Sequence, residues 1–326
     1  MENSINLNEN VDNSTNVSDG LDDLFVRVEL NEEESEHIVS EPYSYWKSVF
    51  RVFIHKPSAI IALVTLAILL LGIIIIPLIA PEGATEMNKY EYDLGLSFEH
   101  LWGTDKIGRD LFFTTWKGAG KSLLLAIIAS GIILVIGTLA GLAWGYFKKI
   151  DWLFVEIYNL ITNIPSLLIY MLLAVVFSTK FSSVPIEVRF ILSLTLTGWL
   201  GLALIIRNLV LIIDNREYNV ASKTLATPAT RIMFRNYLPY ILGVIITQFS
   251  LLLPSMISSE VSLSYFGVGL AETDVSIGAI LELGIDNYSL YPWQILAPAF
   301  LLAVIIFIFF LMGTALSDAL DPKKHR

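Results

Sequence analysis

The chain has 326 residues, 55% of them hydrophobic and only 16% charged, with a mean hydropathy of +0.65. A globular chain carries about a quarter charged residues, so a soluble domain is excluded and most of this chain is expected in lipid. The sequence contains no cysteine, which removes disulfide frameworks, Cys-ligated zinc, iron–sulfur clusters and thiol nucleophiles.

The net charge of −10 belongs to one segment. Residues 1–46 hold 12 Asp and Glu against one Arg, whereas the remainder has 20 Lys and Arg against 19 Asp and Glu. The absence of a basic surface argues against a nucleic-acid partner. The tail, rich in Asn, Ser, Asp and Glu, has too little apolar content to offset chain entropy, and disorder is expected there. It is not expected to be a signal peptide, because Glu2 and an acidic run stand where a basic region and an apolar core would be. The sequons at Asn13 and Asn16 are what an Asn- and Ser-rich tail produces by chance.

After the tail the first span is predicted at Ser58 to Ala80, 23 residues without a charge, which as helix would cover about 34 Å. A second is predicted from Ser122 to Phe147, following a loop within the 47–121 segment. A third runs from Trp152 to Ser178, a fourth from Phe190 to Ile213, a fifth from Tyr240 to Val261 and a sixth from Trp293 to Leu316. Residues 122–316 thus form a membrane core, and 317–326 a short C-terminal tail. The fold class is all-α, a polytopic membrane protein with six transmembrane helices and both termini on one side. Placing the termini in the cytoplasm puts 14 Lys and Arg inside and seven outside, the expected direction of the positive-inside rule.

Within the spans, Glu156, Arg207 and Glu260 sit close to interfaces, where snorkelling or one ion pair suffices, although intramembrane charges also mark pathways. Pro165 and Pro254 each remove an i to i−4 hydrogen bond in mid-helix. Glu260 and Pro254 are therefore candidates for a pathway or gate. Gly137 and Gly141 form a Gly-x-x-x-Gly face for close helix packing, within the chain or with a partner. Gly118 to Ser122 imitates the end of a phosphate-binding loop, but Thr115 stands where Gly is needed and no strand precedes it. The four histidines are scattered singly, so no metal site is expected. With no catalytic cluster elsewhere, the chain is not expected to be an enzyme.

The loop Asp214 to Pro239, between the fourth and fifth spans, is long and polar. Arg216 to Leu225 can make about three helical turns, ended by Pro228, which disfavours helix in the residue before it; a second piece is predicted over Ala229 to Tyr237. A short amphipathic helix held across one membrane face is shaped to dock in a groove of another protein.

This loop resembles the coupling loop of binding-protein-dependent ABC importer permeases, whose form is approximately R-E-Y-x-E-A-A-x-x-L-G followed by a dozen residues and L-P. Arg216, Glu217, Tyr218, Ala221, Leu225, Leu238 and Pro239 match it. Val220 stands where the motif has Glu, and Ala226 where it has Gly. Gly103 to Asp110 (G-T-D-K-I-G-R-D) is similar to the signature before the second span of dipeptide and oligopeptide permeases of the C-subunit type. Glu260 to Gly269 and the D-A-L-D-P of Asp318 to Pro322 also resemble that family.

The resemblance implies a type I ABC importer transmembrane domain. Its partners would be a second homologous permease, two cytoplasmic ATPase subunits that bind ATP and Mg, and an extracytoplasmic peptide-binding protein. No cofactor would be bound by this chain itself. Glu217, Tyr218 and Leu225 would contact the ATPase, and the loops Pro81 to Lys121 and Leu263 to Pro292 would meet the binding protein. Tyr288, Tyr291 and Trp293 fit an interfacial aromatic belt better than a dock. Asp105, Arg109 and Asp110 are expected to pair and brace the outer loop. The alternative cargo is nickel or a metal chelate; a secondary transporter or channel is less well supported, because no inverted repeat is visible.

Overall fold

The computed structural model describes residues 45–269 and 275–320. The expectation for the acidic tail therefore lies outside the described residues, as do Asp321 and Pro322. The elements in order are α1 (Tyr45–Ile54), α2 (Pro57–Leu78), α3 (Leu111–Tyr146), α4 (Asp151–Thr162), α5 (Ser166–Lys180), α6 (Ile186–Asp214), α7 (Glu217–Thr224), α8 (Ala229–Ile232), α9 (Leu238–Tyr265), α10 (Ile277–Ile285) and α11 (Trp293–Leu320). A π-helical turn, Met233–Tyr237, joins α8 to α9. Among the described residues there is no strand beyond one isolated bridge between Thr104 and Asp110.

Five helical segments are long and apolar enough to cross a membrane: α2, α3, α6, the run from α8 through α9, and α11. The predicted third span is not a continuous helix. It is the bent pair α4 and α5, with an angle of 87° between its halves, which adds a sixth crossing where the two halves count as one broken span. The break falls at Asn163, Ile164 and Pro165: Pro165 has no N–H to continue α4 and disfavours helix in the residue before it, while its own fixed φ suits the entry to α5. Pro254, by contrast, lies inside a helix that runs unbroken from Leu238 to Tyr265.

Other boundaries also shift. The second spanning helix starts at Leu111, not Ser122, because the Asp110 carboxylate accepts hydrogen bonds from the amides of Phe112 and Phe113 and caps it. The Ala229 to Tyr237 piece feeds straight into α9 instead of standing apart. The segment read as a plain loop, Leu263 to Pro292, contains α10, whose Ile277, Ala279, Ile280 and Leu283 are buried.

The bundle is organised around α3. Gly137, Gly141 and Gly145 recur every four residues on one face, and α6 lies directly against them. A Cβ at Gly141 would sit 2.7 Å from the Ala203 carbonyl oxygen and 2.7 Å from Ile206 Cβ, so the glycines let the two backbones approach as small residues do between membrane helices. The glycine face thus packs within the chain. α2 shows the opposite character: Ile60, Ile61, Val64, Ile68, Leu71 and Ile75 are all exposed, as expected of a lipid-facing helix. Its foot is tied to the last helix by Lys56, whose ammonium lies 2.8 Å from Asp318.

Gly141→Ala is expected to lower stability by roughly 1–3 kcal/mol through overpacking. Gly131→Ala, where nothing lies within 4 Å of the added carbon, is expected to be neutral or stabilising by up to about 1 kcal/mol. Thermal unfolding of the two variants in detergent checks the contrast.

Candidate functional site

The loop helix α7 has two distinct faces. Asn219 points inward and is fully buried; its side-chain amide donates to the Ile213 carbonyl at 2.8 Å, and its own carbonyl accepts from Asn236 Nδ2 at 2.9 Å. Arg216, Glu217, Tyr218, Val220 and Ala221 are exposed, as is Leu225, at 81%. Of the predicted loop residues, these outward ones share one surface. Leu238 and Pro239 begin α9 instead, Leu238 packing on the core and Pro239 at the first turn, where its missing N–H costs nothing.

The helix ends in a Schellman turn. Thr227 N donates to Ser222 O at 3.1 Å and Ala226 N to Lys223 O at 3.0 Å, which requires the intervening backbone to go left-handed; Ala226 does so at φ +54°. This is the position where the resembled motif has Gly, and Ala holds it at the cost of its Cβ.

The residues that fasten α7 were not singled out by sequence reasoning. Asp214, the last residue of α6, is buried to 4% exposure. Its carboxylate accepts hydrogen bonds from the Lys223 ammonium on α7 and the Tyr237 hydroxyl on the π-helical turn. The Lys148 ammonium approaches it to 3.6 Å. Lys223 also lies 5.1 Å over the Tyr146 ring, at the end of α3. One carboxylate therefore joins α6, α7, the turn into α9 and the α3–α4 connection. The available signal was an Asp closing an apolar run with a Lys nine residues on, a spacing that only the turn between α6 and α7 makes meaningful.

A second bracket stands beside it. Arg207 embraces Asp151 with two hydrogen bonds, Nε to Oδ1 at 2.9 Å and Nη2 to Oδ2 at 2.6 Å, and Trp144 Nε1 donates to the same carboxylate at 2.7 Å. Arg207 thus finds a bidentate partner, while Glu156 stays exposed.

At the opposite end of the bundle two of the three predicted loop residues, Asp105 and Arg109, pair with each other, while the Asp110 side chain takes other partners. Arg109 Nε donates to Asp105 Oδ2 at 2.7 Å, both side chains being almost fully buried, and Asp105 Oδ1 accepts from the amides of Ile107 and Arg109. Asp110 caps α3 and hydrogen-bonds His100 Nδ1 at 2.8 Å. Gly108, at φ +82°, lies so close to Asn88 that a Cβ would fall 1.9 Å from its carbonyl oxygen. Gln294 on α11 donates to Asp93 and to the Thr104 carbonyl, stitching this loop to the last helix.

Glu260, a candidate for a pathway or gate, faces no opening: it is 1% exposed and accepts hydrogen bonds from Ser122 on α3 at 2.8 Å and from Ser264 at 3.1 Å. Ser122 also accepts from the Ile277 amide, so the carboxylate holds α3, α9 and α10 together. Pro254 is buried in the same helix. Among the described residues no group of three or more His, Cys, Asp or Glu could hold a metal ion.

Comparison with known proteins shows the family. Residues 133–326 match the binding-protein-dependent transport system inner membrane component family, and the chain belongs to it. Residues 44–96 match the N-terminal TM domain of oligopeptide transport permease C. Among its relatives, the oligopeptide transport system permease protein AmiD of Streptococcus pneumoniae is 36% identical over 93% of this chain and 97% of its own length. The dipeptide transport system permease protein DppC of Bacillus subtilis is 33% identical over 94% of each chain. The oligopeptide transport system permease protein OppC of Bacillus subtilis is 31% identical over 93% of this chain and 98% of its own.

Ala226→Gly is expected to stabilise the protein by about 0.5–1 kcal/mol by relieving the left-handed alanine. Tyr237→Phe is expected to destabilise it by roughly 1.5–3 kcal/mol, the worth of a hydrogen bond to a charged group. Unfolding midpoints of both variants test the turn and the Asp214 junction separately.

Proposed function

We propose that this chain is the permease subunit of an ATP-driven importer of di- and oligopeptides. With a second homologous permease it forms the translocation path, and it is moved by two cytoplasmic ATPase subunits that carry the ATP and Mg. The chain itself catalyses no reaction and binds no cofactor. An extracytoplasmic peptide-binding protein delivers the cargo. The excess of Lys and Arg supports an orientation with both termini and the α6–α9 loop in the cytoplasm.

The observation that carries this reading is the two-faced α7: one face fastened to the bundle through Asn219 and Lys223, the other presenting Glu217, Tyr218 and Leu225 outward. A helix that docks on a moving ATPase must be stiffly joined to what it moves. Asp214 supplies such a joint, because displacement of α7 is passed to α6 and to the turn into α9 together, a two-state element biased from a distance. Val220 leaves an apolar surface where the motif has Glu, so we expect docking through packing more than through an ion pair at that position.

At the other end, Asp105, Arg109 and Asp110 brace the loop that meets the binding protein, and Glu260 is assigned a bracing role in place of a gating one. The peptide cargo is favoured over nickel or a metal chelate by the names of the relatives, which are dipeptide and oligopeptide permeases.

Alanine at Glu217, Tyr218 and Leu225 together is expected to leave the chain folded and inserted while abolishing ATP-driven peptide uptake by membrane vesicles. Uptake at the wild-type rate would mean that α7 is not the coupling element.

A further inference from the structure

The face of α9 turned away from Glu260 carries a second pattern. Ser255, Ser258, Ser259 and Ser262 follow the i, i+3, i+4, i+7 spacing that places side chains on one helix face. They line a groove of about 210 Å³ whose other wall is the start of α5, with Ser166, Leu167 and Tyr170. Leu253, Met256, Ile257 and Leu263, on the remaining faces of α9, are buried in the bundle.

Three of these hydroxyls are committed as donors to their own helix: Ser258 to Pro254 O at 2.9 Å, Ser259 to Ser255 O at 2.9 Å and Ser262 to Ser258 O at 2.8 Å. A hydroxyl has one proton and two acceptor sites, so what they offer the groove is acceptors. The opposite wall offers donors. α5 begins at Ser166 after the 87° break and has no side-chain cap, leaving its first amides without intrahelical partners, with the positive end of the helix dipole behind them. Tyr170, 7% exposed, lines the same groove, and its hydroxyl has no hydrogen-bond partner among the described residues. A lipid chain would satisfy none of these groups.

We infer that this groove is a peptide-backbone subsite of the translocation path, in which the serine face accepts peptide N–H groups or the α-ammonium and the start of α5, with Tyr170, donates to peptide carbonyls or the terminal carboxylate. The inference rests on the peptide-import reading and adds residues and chemistry to it. Because every contact is to groups common to all peptides, the subsite is indifferent to side chains. Ser258, Ser259 and Ser262 fit a passage: each stays satisfied by its own helix when the peptide leaves, so their release incurs no large desolvation cost.

The cysteine-free sequence makes the test direct. Ser259→Cys is introduced into the full transporter in native membrane vesicles and exposed to a charged, membrane-impermeant methanethiosulfonate. The expected result is labelling that slows severalfold during turnover with ATP and peptide-loaded binding protein. In parallel, Tyr170→Phe, whose hydroxyl has no hydrogen bond to lose among the described residues, is expected to assemble normally yet reduce peptide uptake about fivefold, the worth of one neutral hydrogen bond. A wild type that imports peptide while Ser259→Cys reacts only with a membrane-soluble maleimide, with neither reagent, or at a rate unaffected by peptide overturns the groove alone. Uptake by Tyr170→Phe at the wild-type rate likewise overturns it. A wild type that imports no peptide overturns the peptide-import reading and the groove together.

Discussion

A carboxylate withdrawn from water has to be met by donors or cations, and in this protein that requirement decides how the helices are joined. Asp214 is the clearest case. Leaving it unpaired at the end of an apolar helix would cost several kcal/mol, so Lys223, Tyr237 and Lys148 converge on it from three further elements. Their convergence fixes the angle at which α7 leaves α6 and the register at which the chain re-enters the bundle as α9. The π-helical turn at Met233–Tyr237 belongs to the same solution, since it is this turn that carries Tyr237 into the junction.

The same rule organises the rest of the molecule. Arg207 is held by Asp151 and Trp144, Glu260 by Ser122 and Ser264, and Arg109 by Asp105. The Asp105 pair and Glu260 lie near one end of the bundle, and the Asp214 and Asp151 groups near the other. Between them the contact of α3 with α6 is made by glycine faces and aliphatic side chains, the Lys121–Glu187 ion pair (3.1 Å) standing at the end where α6 begins. A bundle that is tightly keyed at both ends and smooth between them suits rigid-body tilting. On the proposed reading, ATPase motion enters at α7 and leaves as such a tilt.

Much of this was legible in the sequence. Apolar runs bounded by charge located five of the spans, and the paired glycines at 137 and 141 announced a close contact. The loop helix followed from Arg216 to Leu225 between a span and Pro228, and Asp105 with Arg109 suggested a pair. What was not legible depends on tertiary geometry. The partners of Asp214 lie 9 and 23 residues later and 66 residues earlier in sequence, and no local period joins them. The bend at Pro165 was visible as a lost hydrogen bond but not as 87°, because many membrane helices absorb a proline, as α9 does at Pro254. The start of α3 at Leu111 was hidden by Lys117 and Lys121, which ended the uncharged run before the helix itself ended. Helix α10 was read as loop because a nine-residue, mostly apolar stretch is too short to span, although it is enough to be buried.

The central claim is that α7 is the joint between a peptide path and a pair of ATPases. The most direct measurement is to purify the chain in mild detergent from its native membrane, identify what accompanies it, and follow ATP hydrolysis with and without peptide-loaded binding protein. The account predicts a second permease and two ATPase subunits, with hydrolysis stimulated by the loaded binding protein. Recovery of the chain alone, or as a homo-oligomer without ATPase activity, would contradict it.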